Sequence, residues 1–166
     1  DDDQNVLGSI NELAVAPVDL QAGAMQDEWS TDFGVGCKYF SQDAVIKLCP
    51  AAGIELPEEL SLAEKLKFVQ KLMEADDPRA QAIFETIGAY FAYTMVLYSQ
   101  FYDLDYMMLM GRVMSGKGGD TILKVCNDIL AEEYPALAAK CKVTLPDEKM
   151  RRVGQAVAAA SLPKIQ

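Results

Sequence analysis

Residues 105 to 120 read Asp105-Tyr106-Met107-Met108-Leu109-Met110-Gly111-Arg112-Val113-Met114-Ser115-Gly116-Lys117-Gly118-Gly119-Asp120. The apolar run up to Met110 predicts a short buried strand, even though methionine is a weak strand former. The glycines that follow predict a turn, and Asp120 is the expected N-cap of a helix. That helix would carry Ile122, Val125, Cys126, Ile129 and Leu130 on one face and end near Tyr134-Pro135. Lys142 to Leu145 has the pattern of a second strand. Asp147 is suited to cap a final helix with Met150, Val153, Val157 and Ala160 inward.

Upstream, Ser61-Leu62-Ala63-Glu64 is a capping box, and Leu62, Leu66 and Val69 follow at helical spacing, so a helix is expected to about Ala75. Asp77-Pro78 supplies a cap and an N1 proline for a longer helix that can reach Tyr102. Its second half is apolar on every side, which predicts burial all round. From residue 78 onward the order is helix, strand, loop, helix, strand, helix. That order implies an α/β layer with at least one parallel strand pair. Nearer the amino end, Val6 to Val18 fits a strand or extended arm, and Asp19 to Gly36 a long loop. Ser41 can cap a short helix ending near Pro50. The expected division is an extended arm and loop over 1–40 and one α/β lobe over 41–166.

The chain has 166 residues, 51% of them apolar, with 15 basic against 25 acidic side chains and a net charge of −10. That charge repels a phosphate backbone or an anionic membrane surface, so neither nucleic acid nor membrane is an expected partner. The most apolar stretch, Ile87 to Tyr98, is too short to span a bilayer, and the expected location is cytoplasmic. The four cysteines, Cys37, Cys49, Cys126 and Cys141, lack C-x-x-C spacing and read as small buried residues. Histidine is absent altogether. This removes Ser-His and Cys-His nucleophile systems and Cys/His zinc clusters.

The glycine turn supports several readings. A strand that passes through glycines into a helix start gathers free N–H groups and the positive end of the helix dipole, an arrangement suited to phosphate. Gly111, Arg112, Ser115 and Gly116 are the candidate nucleotide-binding residues. Gly111 to Lys117 also fits most of the Walker A pattern, but Gly118 stands where the Mg²⁺-holding hydroxyl belongs. A plain connection without a ligand is the third reading. Asp27, Glu28 and Asp32 around Trp29 fit either a polyol site or a mobile acidic loop. Arg151-Arg152 fits an anion contact or a salt bridge to Asp147 or Glu148.

Several stretches together resemble the carboxy-terminal lobe of the ROK family, the bacterial sugar kinases and sugar-responsive repressors. Ala80 to Tyr102 is similar to the family's long helix, Tyr106 to Ser115 to its apolar strand entering a glycine loop, and Arg152-Val153-Gly154-Gln155-Ala156-Val157-Ala158 to its closing helix. Asn11-Glu12-Leu13-Ala14 resembles the G-E-x-G-H segment, and of its functional residues only Glu12 carries over. Gly34-Val35-Gly36-Cys37 resembles the zinc and sugar segment C-G-x-x-G-C-L-E. Cys37 or Tyr39 falls at its glutamate, so zinc is not expected.

The resemblance implies the carboxy-terminal lobe of an actin-like ATPase (ribonuclease H-like) fold, a small mixed sheet flanked by helices including one long buried helix. In the intact protein it implies ATP-dependent hexose phosphorylation, with ATP and Mg²⁺ as cofactors. The nucleotide would be received at Gly111, Arg112, Ser115 and Gly116, and the sugar at Asn11 and Glu12. The family's amino-terminal phosphate loop and catalytic aspartate have no counterpart here, so no catalytic residue is assigned. The implied partners are the amino-terminal lobe of the same protein, a hexose or related sugar, and a second copy in a homodimer. A non-catalytic sugar-sensing regulator or a dimerisation module is the alternative implication.

Overall fold

The computed structural model describes residues 13–146. Asn11, Glu12 and the helix expected after Asp147 lie outside them, as does Arg151-Arg152. The described elements are six helices and two short strands. They run α1 (Cys37–Phe40), α2 (Gln42–Leu48), α3 (Leu62–Glu74), α4 (Pro78–Tyr98), β1 (Tyr106–Met108), α5 (Gly116–Glu133), α6 (Pro135–Lys140) and β2 (Lys142–Thr144), with 3-10 turns at Leu13–Val15 and Arg112–Met114. The described fold is mixed α/β and mostly helical.

Helix starts follow their capping chemistry. Ser41 accepts from the Asp43 N–H at 3.2 Å and opens α2. Ser61 and Glu64 form the reciprocal box at α3, with the Ser61 N–H donating to Glu64 Oε2 at 2.9 Å. Asp77 accepts from the Arg79 N–H at 2.9 Å and Pro78 occupies the first turn of α4.

Three expectations about α4 and α5 need correction. First, α4 stops at Tyr98 rather than Tyr102. The Ser99 hydroxyl turns back to the Val96 carbonyl at 2.7 Å, a local bond that competes with helix propagation. Second, the carboxyl half of α4 is not buried all round: Tyr90, Tyr93 and Leu97 are exposed, while Ala92, Met95 and Tyr98 are buried. The tyrosines carry polar hydroxyls, that of Tyr93 bonded to Glu133, so this face tolerates exposure. Third, α5 begins at Gly116 with Ser115 at its N-cap, which leaves Asp120 exposed inside the helix rather than at its start.

The early start of α5 has a packing cause. Gly118 and Gly119 are buried helical residues. A Cβ on Gly118 would lie 2.5 Å from the Phe84 ring, and one on Gly119 would lie 2.1 Å from the Met114 carbonyl oxygen. On α4, a Cβ at Gly88 would lie 2.9 Å from the Ile122 carbonyl oxygen and 2.9 Å from Val125 Cβ. The most extensive helix contact in the structure, α4 on α5, is therefore a close backbone approach that side chains would block. Phe84, Ile87, Met95, Ile122, Cys126 and Leu130 fill the core along it. The helix pair α2 and α3 closes one side with Val45, Leu66 and Val69.

The strands pair in parallel, with Tyr106 opposite Lys142 and Met108 opposite Thr144. The expected parallel pair is present. Among the described residues, however, the sheet is two parallel strands rather than mixed, and β1 is not a buried strand. Tyr106, Met108 and Met110 are exposed and only Leu109 is fully buried in this run, because a two-stranded sheet covers one face at most. The short helix α6, opened by Pro135, was not foreseen in the sequence. Cys49, Cys126 and Cys141 are buried and Cys37 is half-buried, all as free thiols. No helix among the described residues is long and apolar enough to cross a membrane.

Gly→Ala inside a helix ordinarily stabilises by about 0.5–1 kcal/mol. At Gly119 and Gly88 the sign should reverse. Overpacking of this kind costs about 1–3 kcal/mol, to be read as a lower urea midpoint, whereas Gly23→Ala, which meets nothing within 4 Å, should be near neutral.

Candidate functional site

Two segments far apart in sequence meet beside α1. The first is the acidic loop. Asp27 is almost fully covered, and its Oδ2 accepts from the Ser30 N–H at 2.8 Å and the Trp29 N–H at 3.1 Å. Its Oδ1 accepts from the Cys37 thiol at 3.6 Å. The Ser30 backbone bond is the main reason its carboxyl titrates below the usual range. Lys38 stands next to it on α1 with its side chain only 5% exposed. The ammonium bonds Glu28 and also Asp43, the latter at 2.9 Å, and lies 3.9 Å from Asp27. Burial by itself would lower the Lys38 pKa, but hydrogen bonds to Glu28 and Asp43 outweigh it and raise the value. The bond from Lys38 likewise holds Glu28 below its ordinary range. Burial, and then the Asp27 charge, push the Cys37 thiol up, so it stays protonated at neutral pH.

The second segment is the turn after β1. Gly111 has φ +118°, a backbone region that L side chains rarely adopt, and nothing lies within 4 Å of where its Cβ would stand. Arg112 is exposed, and its guanidinium makes no ion pair among the described residues. Its carbonyl accepts from Gln70 Nε2 at 2.9 Å, which ties the turn to α3.

The start of α5 presents a different surface. Glu74, the last residue of α3, reaches the first turn and accepts from the Lys117 N–H at 3.2 Å. Gly116, at φ +65°, lies against the same carboxylate, where a Cβ would stand 2.7 Å from Glu74 Oε1. A protein carboxylate thus occupies the anion position of this helix end, as the helix dipole favours. The Lys117 ammonium pairs with Asp76 at 2.8 Å and bonds the Glu74 carbonyl at 3.3 Å. Gly118, at the Walker hydroxyl position, is packed against Phe84 inside α5.

Between the two segments lies a cavity of about 430 Å³, within the range of about 300–1,000 Å³ typical of ligand pockets. Gly111 and Arg112 form one side, and Asp27, Cys37, Ser41 and Asp43 the other. Of the candidate nucleotide residues, then, Gly111 and Arg112 face the cavity. Ser115 and Gly116 stand at the start of α5, where Glu74 is the neighbour of Gly116. Sequence reasoning missed Lys38 and Asp43. A lysine inside an otherwise apolar and aromatic run, Cys37-Lys38-Tyr39-Phe40, was the available signal, because a buried lysine requires carboxylate partners. Among the described residues, no group of three or more Cys, Asp or Glu is arranged to hold a metal ion. No protein-family model, no curated protein sequence and no solved structure matches the chain.

Lys38→Met should strip the loop of its internal cation and cost about 1.5–3 kcal/mol, as expected for charge-assisted hydrogen bonds. Lys124→Met, which breaks only an exposed pair with Asp128, should leave the thermal denaturation midpoint nearly unchanged. On acidification, Asp27 and Glu28 behave as groups whose folded pKa is depressed. Their stabilisation is present above the unfolded values near about 4 and is lost as pH falls through the lower folded values. Lys38, whose folded pKa is raised, adds no slope at acid pH. Fluorescence of Trp29, whose backbone N–H bonds Asp27, should report an acid transition that is altered in Asp27→Asn.

Proposed function

We propose that this chain is the nucleotide- and sugar-receiving lobe of a ROK-like, ATP-dependent hexose kinase of the actin-like fold. The observation that carries this reading is the shared cavity, which brings the Gly111-Arg112 turn opposite the Asp27–Asp43 acidic wall. The two sides suit different parts of a phosphoryl-transfer reaction. An open backbone at Gly111 and the Arg112 guanidinium, without an ion pair among the described residues, favour phosphate oxygens. The carboxylate wall repels phosphate and accepts from hydroxyls. Sugar on the acidic side and nucleotide on the glycine side therefore meet across one cavity, the juxtaposition that transfer requires.

In this reading Ser115 and Gly116 support the turn from behind Glu74, while Gly111 and Arg112 touch the nucleotide. Glu12, with Asn11, adds sugar contacts from the segment preceding Leu13. Mg²⁺ arrives with ATP, held chiefly by phosphate oxygens. The catalytic base and the opposite wall of the cleft belong to the amino-terminal lobe. A homodimer and a cytoplasmic setting belong to the same proposal.

A second reading, a sugar sensor without turnover, draws on one further observation. The two residues that align with the family's second sugar-binding glutamate are already engaged, Cys37 with Asp27 and Tyr39 with Asp19, and neither offers a carboxylate.

Calorimetry with Mg-ATP and with glucose tests both readings. Saturable Mg-ATP binding is expected, weakened at least about tenfold in Arg112→Ala, the loss of one charge-assisted contact. Gly111→Val should weaken it too, because a β-branched residue strains at φ +118°. Absence of nucleotide binding by the unaltered chain sinks the kinase reading. Glucose binding without phosphorylation by the intact protein selects the sensor.

A further inference from the structure

A second cavity of about 430 Å³ lies on the other side of α1, between that helix, the exposed face of α4 and the segment around Asp19. Its character differs from that of the first. Tyr39, Phe40, Tyr90 and Tyr93 supply four aromatic side chains to its lining, and Asp19 is the one ionisable group there apart from tyrosines. Tyr39 and Tyr90 meet nearly edge to face, centroids 5.9 Å apart and planes at 73°, so the two rings form a corner.

Three of the polar side chains that line this cavity, Tyr39, Asp19 and Tyr93, already have hydrogen-bond partners. The Tyr39 hydroxyl donates to Asp19 Oδ2 and accepts from the Met25 N–H at 3.3 Å. Asp19 Oδ1 accepts from the Gln21 N–H at 3.0 Å. The Tyr93 hydroxyl donates to Glu133 at 3.0 Å. Charge and ring surface around the cavity have the same sign: a carboxylate at Asp19, a second at Glu133 behind Tyr93, and aromatic faces whose quadrupole is negative. The Tyr39 bond holds the Asp19 carboxyl below the usual range, so it is ionised at neutral pH. The Tyr39 ring already takes one cation: exposed Lys47, which does not line the cavity, sits 5.0 Å from the ring centroid. Lys47 offsets part of the Asp19 charge, and among the lining residues no cation offsets the rest.

We propose that this cavity is a binding site for a small organic ammonium ion, with the Tyr39–Tyr90 corner and Tyr93 around the cationic head and Asp19 as its counter-ion. The site does not depend on the hexose-kinase reading, because Phe40 is the one lining residue the two cavities share. Cation–π attraction to clustered rings is strongest where the head group is only weakly hydrated, which favours methylated over primary ammonium groups.

The test is calorimetry on the chain with choline, with its neutral isostere 3,3-dimethyl-1-butanol, and with glucose. Saturable choline binding at least about fivefold tighter than the isostere is expected, the discrimination cation–π contacts provide. Asp19→Asn and Tyr90→Leu should each weaken choline binding at least about threefold, with thermal denaturation verifying that both variants are folded. Equal affinity for choline and the isostere, or no saturable choline binding, overturns the proposal, and that comparison on the unaltered chain needs no variant to fold. Glucose binding that Tyr90→Leu abolishes also overturns it, in favour of a sugar site. Sedimentation showing a dimer from which choline is excluded overturns it in favour of a second copy seated on the groove.

Discussion

The close approach of α4 and α5 is the constraint on which the other features depend. At Gly88 and Gly118 one helix meets the other without room for a Cβ, and the Phe84 ring occupies the space that Gly118 leaves. Dispersion and apolar burial reward this contact only if the backbones stay close, so the position of α5 is set along its length. Helix α5 then has to begin at Gly116, near the end of α3. Glu74 meets the first turn there, and the residues before it are left to form the open turn at Gly111. A carboxylate at that helix end satisfies a free N–H and the dipole together. The geometry of the candidate nucleotide turn is thus a consequence of core packing several residues downstream.

Charge divides the molecule in a comparable way. The chain is strongly acidic, and its acidic loop is held together by one buried cation. Lys38 joins Glu28 and Asp43, which are distant in sequence, and lowers the mutual repulsion of the carboxylates around it. The wall of the first cavity can therefore be rigid and negative at once. A negative wall shares the cavity with Arg112, which makes no ion pair among the described residues, so hydroxyl-accepting groups and an anion-accepting group line the same space.

Helix starts were legible in the sequence because their chemistry is local. Ser41, Ser61-Glu64 and Asp77-Pro78 each cap within a few residues of themselves, and each opens a helix as the pattern indicates. The parallel pairing of 106–108 with 142–144 was legible from element order. The glycine run was misjudged at its far end, since a glycine needed for a positive φ and a glycine needed for a close approach look identical in sequence. Gly111 and Gly116 are of the first kind, and Gly118 and Gly119 of the second. The apolar half of α4 was misjudged for a related reason: tyrosine counts as apolar in a periodicity reading, yet Tyr90 and Tyr93 remain exposed at the surface. Lys38 was signalled only by its place in an apolar and aromatic run; its partners lay beyond sequence reasoning because they come from a loop and a helix whose meeting is a tertiary event.

Helix α1 shows what those tertiary events achieve. Four residues are too few for a helix to hold itself by backbone bonds, and no side chain caps its start. It is held instead through its side chains, which at about 100° per residue point in different directions. Lys38 goes to Glu28 of the acidic loop and Asp43 of α2, Tyr39 to Asp19, and Phe40 stacks on Phe91 of α4 at 4.3 Å. Two polar anchors and one aromatic anchor leave a short helix little freedom to rotate. Because Phe40 lines both cavities, the same three anchors hold the wall that separates them.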